Sequence, residues 1–155
     1  MKHYFVPRPG EDWSTIPVYA PVAGTVYHIR QEWAGIQIEM TVDSHPKFAV
    51  VLFHVNPSIP IDVGTRLEAG QRIGSHIGTM TWSDVTIRVD STQGMRLVSF
   101  FDALTDDRFA AYAARGLTSR QDAIISRGER DAQPLSCNGE AFLGPGTIEN
   151  WTGFR

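Results

Sequence analysis

The side chains best able to do chemistry in this chain are its five histidines, His3, His28, His45, His54 and His76. Imidazole ligates metals and moves protons near neutral pH. No two of these residues stand at the i, i+2 or i, i+4 spacing that would present a pair of rings together from one strand or helix. His54 closes an apolar run, Phe48-Ala49-Val50-Val51-Leu52-Phe53-His54-Val55. There it shares a strand face with Phe48, Val50 and Leu52, the setting of a hydrogen-bonded histidine at a core edge. A second constellation is Asp84, Thr86, Arg88 and Asp90, alternating with Val85, Ile87 and Val89. Period-two alternation puts the polar four on one face. Arg88, two residues from each of Asp84 and Asp90, places a guanidinium close to two carboxylates, which neutralises them and disfavours a bound dication. This face reads as ion-paired and ligand-binding or structural. A metal site gathered across strands from His54, His76 and Asp84 stays open as the alternative. The sole cysteine, Cys137, lies in Ser136-Cys137-Asn138-Gly139 with no basic neighbour or helix terminus to lower its pKa, so it reads as a packing thiol. A single cysteine also excludes an intrachain disulfide and a cysteine-rich metal cluster.

Short strands must position these residues. In Gly35-Ile36-Gln37-Ile38-Glu39-Met40-Thr41-Val42 every second residue is apolar, as in a half-buried strand. The run 48–55 is apolar on both faces, as a central strand is. Turn chemistry separates the runs at Pro21 to Gly24, Asp43 to Pro46, Asn56 to Pro60, Gly64, Glu68 to Gly70 and Gly74 to Gly78. Frequent turns between short strands, with no helix among them, predict a mainly β fold, a compact sandwich or barrel, over residues 18–98. Residues 1–17 contain Pro7, Pro9, Gly10 and Pro17 and read as an irregular arm. Residues 99–155 read as a helical hairpin and an irregular tail packed on the core. The first helix spans Asp106 to Arg115, with Thr105 as N-cap and Gly116 as its stop. The second spans Ser119 to Arg127, opened by the capping pair Ser119 and Asp122. Trp151 and Phe154 are expected to pin the tail by burial.

Composition narrows the function classes. At 155 residues the chain suits one domain with short appendages. Its 42% hydrophobic residues suffice for a core. The net charge is −3 with only two lysines, Lys2 and Lys47, so no basic field exists to bind nucleic acid. Between Asp106 and Asp131 five arginines meet five acids, which excludes the helical pair as a DNA reader. The longest apolar run falls far short of the ~20 residues of a membrane span. Met1-Lys2-His3-Tyr4 carries no apolar segment of a secretory leader, so either the protein stays where it is made or the chain begins after a removed signal.

Several spaced elements carry a family resemblance over residues 15 to 90. Ile16-Pro17-Val18-Tyr19-Ala20-Pro21-Val22-Ala23-Gly24-Thr25-Val26 resembles the opening strand and turn of lysostaphin-type (LytM-like) zinc endopeptidases. Leu52-Phe53-His54-Val55 is similar to that family's Tyr-x-His-Leu strand. The segment Val63-Gly64-Thr65-Arg66-Leu67-Glu68-Ala69-Gly70-Gln71-Arg72-Ile73-Gly74 resembles its Val-x-x-Gly-x-x-Val-x-x-Gly-Gln-x-Ile-Gly module. The resemblance implies a duplicated-hybrid-motif β fold, a place in the cell envelope and a zinc held by an early His-x-x-x-Asp and by the second histidine of a late His-x-His strand. Asp84 and Thr86 stand where those two late histidines would be, and the early spacing is absent, with His3 and Glu11 or Asp12 its nearest substitute. Only His54 falls on a family position, that of a catalytic histidine. The chain thus resembles a degenerate member.

Two readings follow. In the first, the β domain holds a peptide, glycan or protein partner in the residual groove, through Trp33, Trp82, Asp84, Thr86 and Arg88 near His54, with no cofactor. In the alternative, it is a zinc hydrolase acting on peptidoglycan with substituted ligands, His54, His76 and Asp84 among them. Similar turn modules occur in biotinyl carriers, but Ile38-Glu39-Met40-Thr41 has Thr41 where a carrier needs lysine. A phosphotransferase IIA domain would need a second histidine near Trp33-Ala34-Gly35, where none occurs; phosphorylation of His54 would revive that reading.

Overall fold

A computed structural model describes residues 1–132 and 153–154. The chain divides into two compact units, Met1–Phe100 and Phe101–Arg155. The first is built of antiparallel strands: β1 (His3–Phe5), β2 (Pro17–Tyr19), β3 (Gly24–Gln31), β4 (Ile36–Thr41), β5 (Phe48–Pro57), β6 (Arg66–Leu67), β7 (Arg72–His76), β8 (Ser83–Ser91) and β9 (Gly94–Val98). They join in the order β1-β8-β5-β4-β3-β6, with β9 beside β1 on β8, and with β7 bridging the far end of β5 to β2. The fold is mainly β, as the alternation predicts. The run 48–55 is the central strand, flanked by β4 on one side and by β8 and then β7 on the other. Val26, Ile38, Met40, Val50, Val55, Leu67 and Ile73 are fully or almost fully buried and form the core.

The arm at 1–17 is more ordered than its prolines suggest. Pro7 and Pro9 end β1 without preventing it, and three residues suffice to pair His3 with Val85, Tyr4 with Asp84 and Phe5 with Ser83. Asp12 then caps a 3₁₀ turn at Trp13–Thr15, accepting from the Ser14 N–H at 3.0 Å. The turn expected at 74–78 begins later, because Gly74 and His76 belong to β7. Gly74 is required for close approach: a Cβ there would lie 2.3 Å from the Asn56 carbonyl oxygen.

Helix α1 (Phe100–Ala103) begins at the last residue of the first unit, and α2 (Asp106–Ala113) starts after Thr105 as expected but ends short of Arg115, ahead of Gly116 at φ +110°. The second helix of the expected hairpin is instead a 3₁₀ turn at Arg120–Ala123. Ser119 N–H does donate to Asp122 at 2.7 Å, but the turn ends at the extended, β-branched Ile124. A separate α3 covers Arg127–Ala132. Phe154 packs its ring 5.7 Å from that of Tyr112. Cys137 and Trp151 lie outside the described residues. No described helix is long and apolar enough to cross a membrane.

Candidate functional site

His54 sits at a break in the sheet. Phe53 is the last residue of β5 paired to β8, opposite Asp84, and Val55 is the first paired to β7, opposite His76. On the other side, Ile36 and Ile38 of β4 face Val55 and Leu52, so Phe53 and His54 oppose Gln37 alone. This is a β-bulge, and it leaves His54 at φ +56°, the left-handed conformation. The bulge takes His54 out of the simple alternation with Leu52 and Val50 that its sequence position suggests. Its backbone N–H donates to Glu32 Oε2 at 3.1 Å, and its carbonyl accepts from Ser83 Oγ at 2.9 Å. Its Nδ1 lies 3.0 Å from the Ala34 carbonyl and 3.1 Å from Glu32 Oε2. Both neighbours are acceptors, so Nδ1 carries a proton. The turn supplying Glu32 and Ala34 also presents Trp33, 71% exposed, with its ring 5.8 Å from the imidazole.

Asp84, across the ladder from Phe53, has a side chain with no solvent exposure. The Lys2 ammonium sits 3.2 Å from its Oδ1 and 3.4 Å from the centroid of the Phe53 ring, so one cation meets a carboxylate and an aromatic face together. Burial pushes the Asp84 carboxyl up to about 6, and the Lys2 charge works against that rise. Tyr4, paired to Asp84 on β1, makes an edge-on contact of 6.2 Å with Trp82. Thr86, wholly buried, donates its hydroxyl to the Met1 carbonyl at 2.6 Å. His54 and Trp33 lie at the β5 bulge, and Asp84 lies across the ladder from the neighbouring Phe53.

Arg88 does not join them. Alternation predicts it between Asp84 and Asp90, but its carboxylate partner on β8 is Asp90, at 3.2 Å. Its second carboxylate is Glu39, at 2.9 Å. The strand's length explains this, since Asp84 is claimed by Lys2 at the buried end while Arg88 reaches sideways across β5 to β4.

Glu39 is the residue that sequence reasoning missed. It is 6% exposed and accepts from the Tyr27 hydroxyl at 2.6 Å, Gln37 Nε2 at 2.8 Å, Arg88 Nη1 at 2.9 Å and His28 Nδ1 at 3.1 Å. A second bulge, between Val26 and His28 of β3, turns both Tyr27 and His28 toward this one carboxylate. Burial acts to raise the Glu39 pKa, but the hydrogen bonds from Tyr27, His28 and Arg88 prevail and hold it below the usual range. Burial, then the bond to Glu39, drives the Tyr27 phenol the other way, upward. The only signal in the sequence is an acid at an inward position of β4.

The zinc that the resemblance implies does not fit this donor set. Asp84 is held by an ammonium, and Thr86 offers a neutral hydroxyl already donating to the backbone. Among the described residues two buried polar atoms, His76 Nδ1 and Asp84 Oδ1, lack a hydrogen-bond partner, and burial lowers the His76 pKa. Among the described residues no three His, Cys, Asp or Glu side chains are disposed to hold a metal ion.

No family model matches the chain, and no curated protein matches it. Among solved structures, the NMR solution structure of lysostaphin is similar to it at 20% identity, covering 53% of this chain and 36% of that one, with a TM-score of 0.41. The chain therefore spans little more than a third of that protein's length.

Proposed function

We propose that this chain is a non-catalytic β domain that binds a partner on the sheet face running from His54 to Arg88. The observation that carries this reading is the Lys2–Asp84 pair at 3.2 Å, which neutralises from within the carboxylate best placed to serve a metal or a reacting group. Thr86 is similarly satisfied by the backbone. What faces solvent beside them is aromatic: Trp33, Trp82 and Tyr4 are 71%, 38% and 46% exposed. Exposed tryptophan and tyrosine beside a fixed polar frame suit contact with a peptide, glycan or protein surface.

One observation favours the hydrolase reading instead. His54 is oriented through Nδ1 by Glu32 and the Ala34 carbonyl, in a backbone conformation that costs on the order of 1 kcal/mol or more. Metal content after dialysis against zinc, thermal melting with and without a chelator, and zinc-dependent release of peptidoglycan fragments separate the two. The binding reading expects well under one equivalent of zinc, an unmoved melting temperature and no cleavage. Near-stoichiometric zinc, with cleavage abolished by His54→Ala, would overturn it.

A further inference from the structure

Beyond Arg88 the same sheet face ends in a groove of about 230 Å³ whose lining includes Tyr27, Thr41, Lys47, Ala49, Arg88 and Asp90. Thr41, Ala49 and Arg88 stand in one cross-strand row, and the small Ala49 at its centre leaves the depression. Two of its lining side chains, Tyr27 and Arg88, are held in place by the protein itself. The Tyr27 hydroxyl is tied to Glu39 at 2.6 Å, which sets the plane of a ring that is still 38% exposed. The Arg88 guanidinium is clamped between Glu39 and Asp90. Lys47, on the exposed rim, makes no ion pair among the described residues.

We propose that this groove seats one uncharged pyranose ring, with the apolar ring face on Tyr27 and hydroxyls shared between Lys47 and Asp90. The inference rests on the binding reading above and names its ligand class. Charge excludes an anion as the preferred occupant, because Lys47 and Arg88 are balanced by Glu39 and Asp90. Topology excludes an extended peptide. At this row β4 lies between β3 and β5, β5 between β4 and β8, and β8 between β5 and β9, so the three strands that floor the groove offer no open edge for main-chain pairing. A sugar needs neither excess charge nor an edge. Its hydroxyls both donate and accept, which matches an ammonium and a carboxylate set side by side, and its C–H face packs on an aromatic plane. The groove is smaller than the roughly 300–1,000 Å³ of drug-sized pockets, which limits it to about one ring.

The test is an amide chemical-shift titration of the full chain with chitotriose and cellotriose, with citrate as the anionic control. Saturable shifts are expected at Tyr27, Thr41, Lys47 and Ala49, about tenfold weaker binding in Lys47→Ala, and loss of those shifts in Tyr27→Leu. Should Tyr27→Leu not fold, Lys47→Ala and the citrate control carry the decision. Silence toward both sugars overturns the proposal, as does a stronger response of the same amides to citrate. Sugar-dependent shifts confined to Trp33 and Trp82 overturn this subsite while leaving the binding reading intact.

Discussion

Asp84 and Glu39 are both buried acids on one sheet face, yet their environments push them in opposite directions. Glu39 gathers four hydrogen bonds and is held ionised, whereas Asp84 has one ammonium partner and is raised to about 6. A carboxyl whose folded pKa exceeds its unfolded value of ~3.9 binds protons more tightly when folded, so its contribution to stability is full below pH ~4 and declines as pH rises toward 6. Replacing Asp84 by Asn removes that decline. Asp84→Asn is expected to gain on the order of 2 kcal/mol over the parent at pH 7 and almost nothing at pH 4, measured by urea unfolding at both values. The readout is the difference between variant and parent, because buried His3, lowered to about 4 chiefly by burial and then by the N-terminal ammonium, slopes the opposite way across the same range. Equal gains at the two pH values would refute the raised pKa. None of this is legible in the sequence, where alternation pairs Arg88 with Asp84, whereas its buried partner is Glu39, 49 residues away in the chain.

At the level of elements, two bulges rearrange what simple alternation predicts. The β3 bulge brings adjacent Tyr27 and His28 to one acid, and the β5 bulge places His54 in the left-handed region. Strand periodicity identified β4, β5 and β8 correctly, since alternation and apolar runs are local properties of the chain. A bulge is a mismatch between two strands and leaves no such local trace. At this positive φ, glycine is expected to serve better than alanine at position 54. His54→Gly is expected to be more stable than His54→Ala by about 1 kcal/mol in chemical denaturation, although both lose the imidazole contacts. The reverse order would place residue 54 in ordinary extended backbone. Gly74 is governed by a different constraint. Its φ is not among the positive ones, and a β-carbon there would clash with the Asn56 carbonyl, so the family-like glycine pattern mixes turn glycines, such as Gly64 and Gly70, with one that permits strand approach.

For the molecule as a whole, the N-terminal strand closes the first unit from the far end of its sequence. β1 pairs with β8, His3 Nε2 lies 2.9 Å from Ser99 Oγ, and Lys2 is the counter-ion of Asp84. These contacts span more than 80 positions, which predicts slow, non-local folding in the manner of other β proteins. Removing residues 1–5 should therefore cost far more than trimming an arm. It strands Asp84 without a partner, a loss of about 3–5 kcal/mol visible as a large fall in the urea midpoint. A small change would mean that the strand is dispensable and that the Asp84 charge finds another partner. Zinc and chelator should leave the same midpoint unmoved if the binding reading holds.

Taken alone, the sequence established a mainly β chain with short antiparallel strands, the position of α2 and its stops, and the failure of the late strand to present two histidines. Those features depend on periodicity, turn chemistry and residue identity, all of which are written locally. Tertiary structure alone decided that Lys2 neutralises Asp84, that Glu39 organises Tyr27, His28 and Arg88, and that His54 occupies a bulge pinned by Glu32. Each of these depends on register between strands distant in the chain, where a shift of one residue sends every side chain to the opposite face.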